Sequence, residues 1–339
     1  MANIATLTIN PAIDLSTAVE RMMPGRKLRC KGLQRYPGGG GINVARVVRR
    51  LGSEVIAVYT CGGIVGRLLE ELVTREGIES RTVQVATETR EDFTVQEEAS
   101  GQQFRFVLAG PQVTETEWQR CLNAVRSLGP FPRYLVGSGS LPPGVPDDFY
   151  ARVARAAHEH GGKLLLDTSG PPLKAALVEG VYLIKPNLHE LMDLAHVRAD
   201  DQDGQAAACR QIVEEGQAQV VALTLGDKGA LLTTRDGTWR TPALPVEPAS
   251  VVGAGDSFLG GMVWSLAEGH SVEEAFRYAT AAGSAALLQA GTELCHDADV
   301  KRLFHDVVLQ AGWPNWHENR SRASTIEGPG AQLFTEGGP

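Results

Sequence analysis

Residues 251–256, "VVGAGD", combine the residue types that could hold an anion and accept a proton. Gly253 and Gly255 allow a sharp turn that brings backbone N–H groups close to a ligand. The run "SFLGGMVWSLAEG" that follows has apolar residues at helical spacing, and the unpaired N–H groups at a helix start attract phosphate. Asp256 could accept the proton of an attacking hydroxyl, as the base does in phosphoryl transfer. On these six residues alone, a glycine turn with an aspartate helix cap is the more common interpretation.

Two further stretches carry groups suited to a nucleotide and a metal ion. In "KPNLHE", residues 185–190, Lys185 offers a cation for phosphate, while Asn187 and Glu190 offer oxygens suited to Mg²⁺ or its waters. Taken alone, such a stretch is usually a strand end followed by an ordinary helix cap. "LTLGDKGA", residues 223–230, is a strand leading into a glycine turn that could hold a nucleotide or could equally be a hairpin.

The elements that must position these groups alternate along the chain. From about residue 133 onward, short apolar strands are separated by helical patterns, which predicts a parallel sheet covered by helices on both faces. Ligands bind at the carboxyl ends of the strands in such sheets. Eight polar residues follow strand-like runs and are expected to converge there: Asp14, Ser138, Ser140, Asp167, Lys185, Asn187, Thr224 and Asp256.

A second, smaller sheet is predicted from segments 27–36, 91–98 and 102–108. Their polar residues are expected on both faces, which does not suit the middle of a buried parallel sheet. These strands therefore indicate a separate small sheet or flap.

The length and composition of the chain restrict the classes of protein to which it can belong. The chain has 339 residues and a net charge of −8, which argues against a general nucleic-acid or membrane-surface role. Its five cysteines are scattered without a C-x-x-C pair, and the N-terminus lacks a signal-peptide pattern, so a cytoplasmic protein with free thiols is expected. The length allows one large α/β domain or two smaller ones, and the aperiodic end of the chain, rich in Gly, Pro and polar residues, indicates a flexible tail.

The order of the motifs resembles that of the ribokinase-like, PfkB-type carbohydrate kinases over residues 3–309. The resemblance lies in Asp14, "GGGGINVAR" at 38–46, "GSLPPG" at 139–144, "KPNLHE", "LTLGDKGA" and "VVGAGDSFLGG" at 251–261. It implies one α/β domain over residues 1–309, with a central, mostly parallel sheet flanked by helices, followed by a flexible tail over 310–339. It also implies a small β-sheet lid whose strands come from about 16–36 and 87–108.

The resemblance also implies roles for individual residues. Asp256 would be the catalytic base, with the backbone N–H groups of Gly253, Ala254 and Gly255 as an anion hole. Sugar hydroxyls would be held by Asp14, Gly39, Asn43 and Ser140, and the phosphate already on the sugar by Lys27 and Arg90. ATP would contact Lys185, Asn187, Thr224, Gly226 and Ser284. The alternatives are a simple turn for Ser140, local capping for Thr224 and Ser284, and a solvated surface for Lys27 and Arg90.

Two cations are implied in the same way. Asn187 and Glu190 would position Mg²⁺. A K⁺ ion would bind mostly carbonyl oxygens of Ser250, Val252, Ala286, Gln289 and Gly291. Because the most similar members have Asn and Arg where this chain has Gln289 and Glu293, K⁺ binding is left open.

The implied activity is ATP-dependent phosphorylation of fructose 6-phosphate at its C1 hydroxyl, by a homodimer formed through the lid. A 1-phosphofructokinase or a tagatose-6-phosphate kinase is the alternative, but those members commonly carry Lys in the glycine run where this chain has Gly40. An inactive sugar-phosphate- or nucleotide-binding regulator is a further alternative, although the base and metal residues are all retained. A dinucleotide dehydrogenase is excluded because no G-x-G-x-x-G follows the first strand.

Overall fold

The structure is a computed structural model that describes residues 2–198 and 200–311. Its strands are β1 (Ile4–Thr8), β2 (Ala12–Val19), β3 (Lys31–Gly38), β4 (Val55–Cys61), β5 (Glu79–Gln84), β6 (Arg90–Glu97), β7 (Gln103–Phe106), β8 (Tyr134–Ser138), β9 (Lys163–Asp167), β10 (Val181–Ile184), β11 (Ala218–Thr224), β12 (Ala230–Thr233), β13 (Thr238–Thr241) and β14 (Gln310–Ala311). Its α-helices are α1 (Gly40–Arg50), α2 (Gly63–Arg75), α3 (Glu115–Arg126), α4 (Phe149–Glu159), α5 (Gly170–Glu179), α6 (Leu188–Ala195), α7 (Gln202–Glu214), α8 (Ala254–Ala267), α9 (Val272–Ala286) and α10 (Asp297–Phe304).

The main sheet has ten strands in the order β14-β13-β12-β11-β10-β9-β8-β1-β4-β5. The seven strands from β11 to β5 are parallel, and β12, β13 and β14 add an antiparallel edge. Side chains alternate between the two faces: Ala5 and Leu7 pack with helices α3 to α7, whereas Ile4 packs with α1, α2, α8 and α9. The predicted mostly parallel sheet with helices on both faces is confirmed.

The small sheet, called the lid sheet below, has four strands in the order β3-β2-β6-β7. β2 pairs with β6 in parallel, and the two outer pairings are antiparallel. The strand predicted at 27–36 begins at Lys31 rather than at residue 27, so residues 20–30 form a connecting loop. This loop includes Lys27, which is exposed.

The register of the lid sheet separates its two faces. Leu15 lies opposite Phe93, and Phe93 lies opposite Phe106, whereas Asp14 lies opposite Asp92 on the other face. Polar residues lie on both faces, as expected, because Arg35 lies opposite Leu15 and strand alternation puts Glu91 and Glu97 on the same face as Phe93. The aromatic residues of β6 and β7 are nevertheless collected on that one face.

Residues 223–230 form the β11–β12 hairpin around a short 3₁₀ turn, Gly226–Lys228. Gln310 and Ala311 pair with β13, so the main sheet includes the first two residues of the predicted tail. The remainder of that tail lies outside the described residues. No helix in the described part of the chain is long and apolar enough to cross a membrane.

Candidate active site

The catalytic candidate Asp256 lies in the first turn of α8, at the carboxyl edge of the parallel strands. Asn43, from the first half of α1, donates a hydrogen bond from Nδ2 to Asp256 Oδ2 at 2.8 Å. The glycine-rich motif near residue 40 and the motif near residue 255 therefore meet, although they lie 213 residues apart in the chain. This contact cannot be predicted from the spacing or the composition of either motif.

The turn before α8 requires glycine and leaves its N–H groups available. Gly253 has a positive φ of 79°, and a Cβ there would lie 2.4 Å from Leu294 Cδ2. Ala254 and Gly255 form the first helical turn, where N–H groups have no partner within the helix. A Cβ on Gly255 would lie 3.4 Å from Lys185 Nζ, so the ammonium group is close to this turn. The free N–H groups of this turn and the ammonium group of Lys185 are donors suited to a phosphoryl group.

Lys185 and Asp167 form a buried ion pair at the ends of β10 and β9, with Nζ and Oδ1 3.2 Å apart. Burial alone would lower the pKa of Lys185, but the carboxylates of Asp167, Glu190 and Asp256 hold this pKa above its usual value. Lys185 therefore stays charged beside the anion turn.

Asp256 is a stronger base than an ordinary aspartate. Burial and the negative charges of Asp167 and Asp14 raise the pKa of Asp256 to about 6, against the opposing effects of Asn43 and Lys185. A carboxylate of this basicity is ionised at neutral pH and can still accept a proton.

Asp14 faces the same space from the lid sheet. Its side chain is only 6% exposed, and burial raises its pKa to about 6, with Arg105 as the main opposing charge. A Cβ on Gly38 would lie 2.6 Å from the Asp14 carboxyl carbon, so only glycine leaves room there. Gly39 has a positive φ of 105°, and a Cβ there would lie 2.8 Å from Thr8 Cγ2. These glycines allow the backbone of the 38–41 segment to approach the Asp14 carboxyl group and Thr8 closely.

Asn10 connects two predicted sugar-site residues. Asn10 Nδ2 donates to Ser140 Oγ at 3.1 Å, and Arg90 Nη2 donates to the Asn10 carbonyl at 3.3 Å. Arg90 also forms an ion pair with Asp92 at 3.0 Å, and its buried Nε has no partner within the described residues. Lys27, in contrast, is exposed in the loop at residues 20–30. The structure therefore connects Arg90 and Ser140 through Asn10 and shows no contact that draws Lys27 to them within the described residues.

The predicted nucleotide residues line the neighbouring strand ends. Asn187 and Glu190 close a capping box at the start of α6, with hydrogen bonds of 2.8 and 2.9 Å. Thr224 donates its backbone N–H to the Pro186 carbonyl at 3.0 Å, and Gly226 begins the turn after β11 with a φ of 62°. Ser284 lies on α9 directly after Gly283, where a Cβ would be 3.3 Å from the Ala254 carbonyl. The capping interpretation of Asn187 and Glu190 is thus observed, and it leaves Asn187 exposed.

The five residues predicted for K⁺ lie in two segments, one before α8 and one at the end of α9 and directly after it. Hydrogen bonds join the two segments. Ser250 Oγ donates to the Gly291 carbonyl at 3.0 Å, and the Ala249 N–H donates to the Leu287 carbonyl at 2.7 Å. Val252 donates its N–H to Ser250 Oγ, and the Gln289 N–H donates to the Ala286 carbonyl. Closely spaced carbonyl groups are the donor type that such an ion needs.

Three residues at the site had no role assigned from the sequence. Asp167 follows the apolar run of β9 and pairs with Lys185, and its position after a buried strand was the available signal. Arg105 lies opposite Thr94 on the face of the lid sheet that carries Asp14 and Asp92, called the inner face below. Only the strand register shows this position. Asn10 is buried beside Ser140, and no local pattern distinguished it from an ordinary turn residue.

The family model described as "pfkB family carbohydrate kinase" matches residues 3–299. The chain belongs to the pfkB family of carbohydrate kinases. Among curated relatives of this pfkB kinase, "ATP-dependent 6-phosphofructokinase isozyme 2" of Mycobacterium tuberculosis is 42% identical over 302 residues, which cover 89% of this chain and 88% of the relative. The predicted family is confirmed.

Solved structures agree with this assignment of the pfkB kinase. The crystal structure of "phosphofructokinase-2 from Escherichia coli in complex with fructose-6-phosphate" superposes with a TM-score of 0.85 at 38% identity, covering 91% of this chain and 99% of that chain. The ribokinase of Arabidopsis thaliana, at 21% identity and a TM-score of 0.70, covers 90% of this chain and 99% of its own. The latter likeness shows that the fold is ribokinase-like, as predicted.

Proposed function

We propose that this kinase is an ATP-dependent 6-phosphofructokinase that phosphorylates the C1 hydroxyl of fructose 6-phosphate and forms fructose 1,6-bisphosphate. One observation carries the proposal: a basic carboxylate, Asp256, lies in the first turn of α8 directly after the glycine turn, and the charge of Asp14 from the lid sheet influences its pKa. The names of the relatives at about 40% identity agree with it.

The chemistry follows from this arrangement. Asp256 accepts the proton of the C1 hydroxyl as that oxygen bonds to the γ-phosphorus of ATP, and the bond from this phosphorus to the β,γ-bridging oxygen breaks to release ADP. The N–H groups of Gly253, Ala254 and Gly255, together with Lys185, stabilise the negative charge on the transferring group. The base and the anion site lie within one turn of α8, which holds both in a fixed relation.

Asn187 and Glu190 would hold Mg²⁺ together with ATP phosphates and water. Within the described residues no three His, Cys, Asp or Glu side chains cluster as a metal site, which suits Mg²⁺ because it usually takes only one or two protein carboxylates. When bound, the ion supplies neutralisation of phosphate charge. Burial and the nearby Asp167 raise the pKa of Glu190, so a cation there would relieve repulsion between the two carboxylates.

K⁺ would bind between the loops at 250–252 and 286–291. The hydrogen bonds between these loops support the proposal, as does a crystal structure of phosphofructokinase-2 from Escherichia coli "in complex with Potassium", 39% identical with a TM-score of 0.86. An ion at this position would stabilise the segment that leads directly into the anion turn.

The phosphate already on the sugar would be bound by Lys27 and Arg90, with Arg105 as a third cation on the inner face of the lid sheet. Arg105 is the main positive charge that opposes the rise in the pKa of Asp14, which supports assigning it a role beside the sugar. Several cations neutralise a phosphate dianion better than one does. Lys27 would have to approach from its exposed loop.

Gly40 favours fructose 6-phosphate over the alternative substrates. A Cβ at Gly40 would lie 2.1 Å from Ser138 Oγ, so the lysine typical of the alternative kinases does not fit unless Ser138 moves. Relatives named 1-phosphofructokinase match less well, for example that of Xanthomonas campestris at 33% identity over 281 residues. Without that lysine, phosphate recognition falls to the lid cations.

The lid sheet would also form a homodimer. Large apolar side chains are exposed on it or directly after it: Leu33, Phe93, Phe106, Val107 and Leu108. Such a patch indicates a protein interface. One structural relative at 38% identity is described as a "tetrameric inhibited form", so larger assemblies occur among the relatives.

The test is a coupled assay of ADP release with fructose 6-phosphate, fructose 1-phosphate and tagatose 6-phosphate as acceptors. We expect fructose 6-phosphate to have the highest kcat/KM. A higher value for either alternative would overturn the substrate assignment and leave the kinase assignment intact. Absence of ADP release with all three, from a protein that binds ATP, would favour the inactive regulator.

A further inference from the structure

Arg46 is a fully buried cation beside the active site, and the proposed chemistry gives it no part. Its side chain is 0% exposed and lies on α1, one turn after Asn43. Arg46 Nη1 donates to Asn43 Oδ1 at 3.2 Å, and Asn43 Nδ2 in turn donates to Asp256 Oδ2 at 2.8 Å. We propose that Arg46 is a positioning residue that fixes the orientation of the Asn43 amide and thereby of the catalytic base. The inference rests on the proposed role of Asp256 as that base.

The two ends of the Asn43 amide form opposite kinds of hydrogen bond. Its oxygen can only accept a hydrogen bond, and its NH₂ group can only donate. A guanidinium group can only donate, so Arg46 requires Asn43 Oδ1 on its side and leaves Nδ2 facing Asp256. The flipped amide would place NH₂ against the guanidinium group and oxygen against the carboxylate, which is unfavourable at both ends. Asp256 Oδ2 is thereby occupied, and Oδ1 remains for the substrate hydroxyl.

Arg46 is itself held from several directions. The two N–H groups of Nη1 are shared among Asn43 Oδ1 and the carbonyls of Pro37 and Thr292, each at 3.2 Å, and Nε donates to Glu76 Oε1 at 2.9 Å. Pro37 lies in β3 of the lid sheet, and Thr292 follows the loop proposed for K⁺. A lysine cannot reproduce this set of bonds, because its single nitrogen lacks the planar fork of arginine.

A substitution of Glu76 can distinguish a positioning role of Arg46 from a merely structural one. It is the carboxylate partner of Arg46 but has no hydrogen bond to Asn43 or Asp256 among those found in the described residues. Glu76→Gln therefore disturbs the burial of the Arg46 charge without changing the polarity of the contact with Asn43. It is the matched control for substitutions of Arg46 itself.

The experiment compares the pH dependence of kcat for the full-length wild type, Arg46→Met, Arg46→Lys and Glu76→Gln. Loss of the amide orientation should lower kcat about ten-fold in Arg46→Met and less in Arg46→Lys, and should move the acid limb up by about one pH unit. KM for ATP should change less than about two-fold. The other charged groups that influence Asp256, namely Asp167, Lys185 and Asp14, are the same in all variants.

An unchanged acid limb in folded Arg46 variants would overturn the proposal, and so would an equal shift in Glu76→Gln. If neither Arg46 variant folds, the wild type is examined by NMR, with the Asn43 side-chain amide assigned by its loss in Asn43→Ser. We expect a slowly exchanging NH₂ pair whose shift follows the acid limb, whereas an averaged, pH-independent signal would contradict the inference. If Asp256→Asn kept its turnover, the proposed base would be wrong, which is a separate failure.

Discussion

At the scale of single residues, the site holds Asp256 in an environment that favours its protonated form. Burial and the neighbouring carboxylates of Asp167 and Asp14 raise its pKa, and the hydrogen bond from Asn43 limits the increase. The same environment makes Asp256 a better base and a less stable buried anion. Activity and stability therefore respond in opposite directions when its charge is removed.

We predict that Asp256→Asn lowers kcat by about 10²- to 10⁴-fold, because the amide has a similar shape but cannot accept the hydroxyl proton. ATP affinity should stay within about two-fold of the wild type. ADP release and equilibrium titration with ATP measure the two effects. Asp306→Asn, an exposed substitution beyond α10, is the control. Turnover of Asp256→Asn near that of this control would exclude Asp256 as the base.

We also predict that Asp256→Asn increases the free energy of unfolding at pH 8 by about 1–3 kcal/mol. The folded-state pKa of about 6 lies above the ordinary value of 3.8, so the folded protein binds this proton more tightly than the unfolded chain. The wild type therefore loses stability as the pH rises from about 4 to 6, and the loss is complete above 6. Urea unfolding should show no gain for the variant near pH 4. A variant less stable than wild type at pH 8 would contradict this prediction.

Lys27 and Arg90 are the residues proposed to bind the phosphate already on the sugar. We predict that Lys27→Ala and Arg90→Ala each reduce kcat/KM for fructose 6-phosphate roughly ten-fold or more, because a charge-assisted hydrogen bond contributes about 1.5–3 kcal/mol. KM for ATP should be almost unchanged. Lys31→Ala is the control, since Lys31 is an exposed lid lysine paired with Glu98. If both variants used fructose 6-phosphate as well as this control, the phosphate would have to be bound elsewhere.

At the scale of elements, the N-termini of α8 and α6 differ in the kind of group that each is suited to bind. α8 begins with glycine and no side-chain cap, which leaves N–H groups for an anion. α6 begins with the reciprocal bonds of Asn187 and Glu190, which satisfy its first N–H groups and bring an amide and a carboxylate to the edge of the site. The first start therefore suits the transferring phosphoryl group, and the second suits a cation.

Glu190→Gln separates capping from metal binding. Glutamine also closes a capping box, so we expect the thermal stability to change little. The Mg²⁺ concentration for half-maximal activity should rise roughly ten-fold, because one anionic ligand is lost. Glu117→Gln is the matched control, since Glu117 closes the capping box of α3. Equal Mg²⁺ requirements in both variants would reduce Glu190 to a helix cap.

At the scale of the whole molecule, the lid sheet presents different chemistry on its two faces. Asp14 and Asp92 lie on one face and are buried, whereas Phe93 and Phe106 share the other face and are 38% and 47% exposed. Covering the apolar face with a second copy of the chain would bury these rings. It would also hold the polar face over the sugar space.

We predict that the wild type is a dimer in solution and that the double substitution Phe93→Glu with Phe106→Glu converts it to a monomer, because paired charges oppose burial of this face. Light scattering coupled to size-exclusion chromatography measures the masses. Val178→Glu, which replaces an 85% exposed residue on α5, is the control and should remain dimeric. A wild type that is monomeric at high concentration would contradict the lid interface.

The sequence by itself determined the fold class, the family and most of the candidate site. Apolar strands separated by helical patterns indicate a parallel sheet because periodicity is a local property, and glycines before a helix indicate an anion turn for the same reason. Asp256, Lys185, Asn187 and Glu190 all belong to such local patterns. Each could therefore be assigned from its neighbours in the chain.

Only the tertiary structure decided which residues act on one another. The contact of Asn43 with Asp256, the pairing of Lys185 with Asp167 and the burial of Arg46 all join segments or depend on surroundings that are distant in sequence. The pKa of Asp256 likewise depends on burial and on charges contributed by separate strands. In the lid sheet, strand register assigned Asp14 and Phe93 to opposite faces. Register depends on pairing between strands that are distant in the sequence, so no short stretch of sequence reveals it.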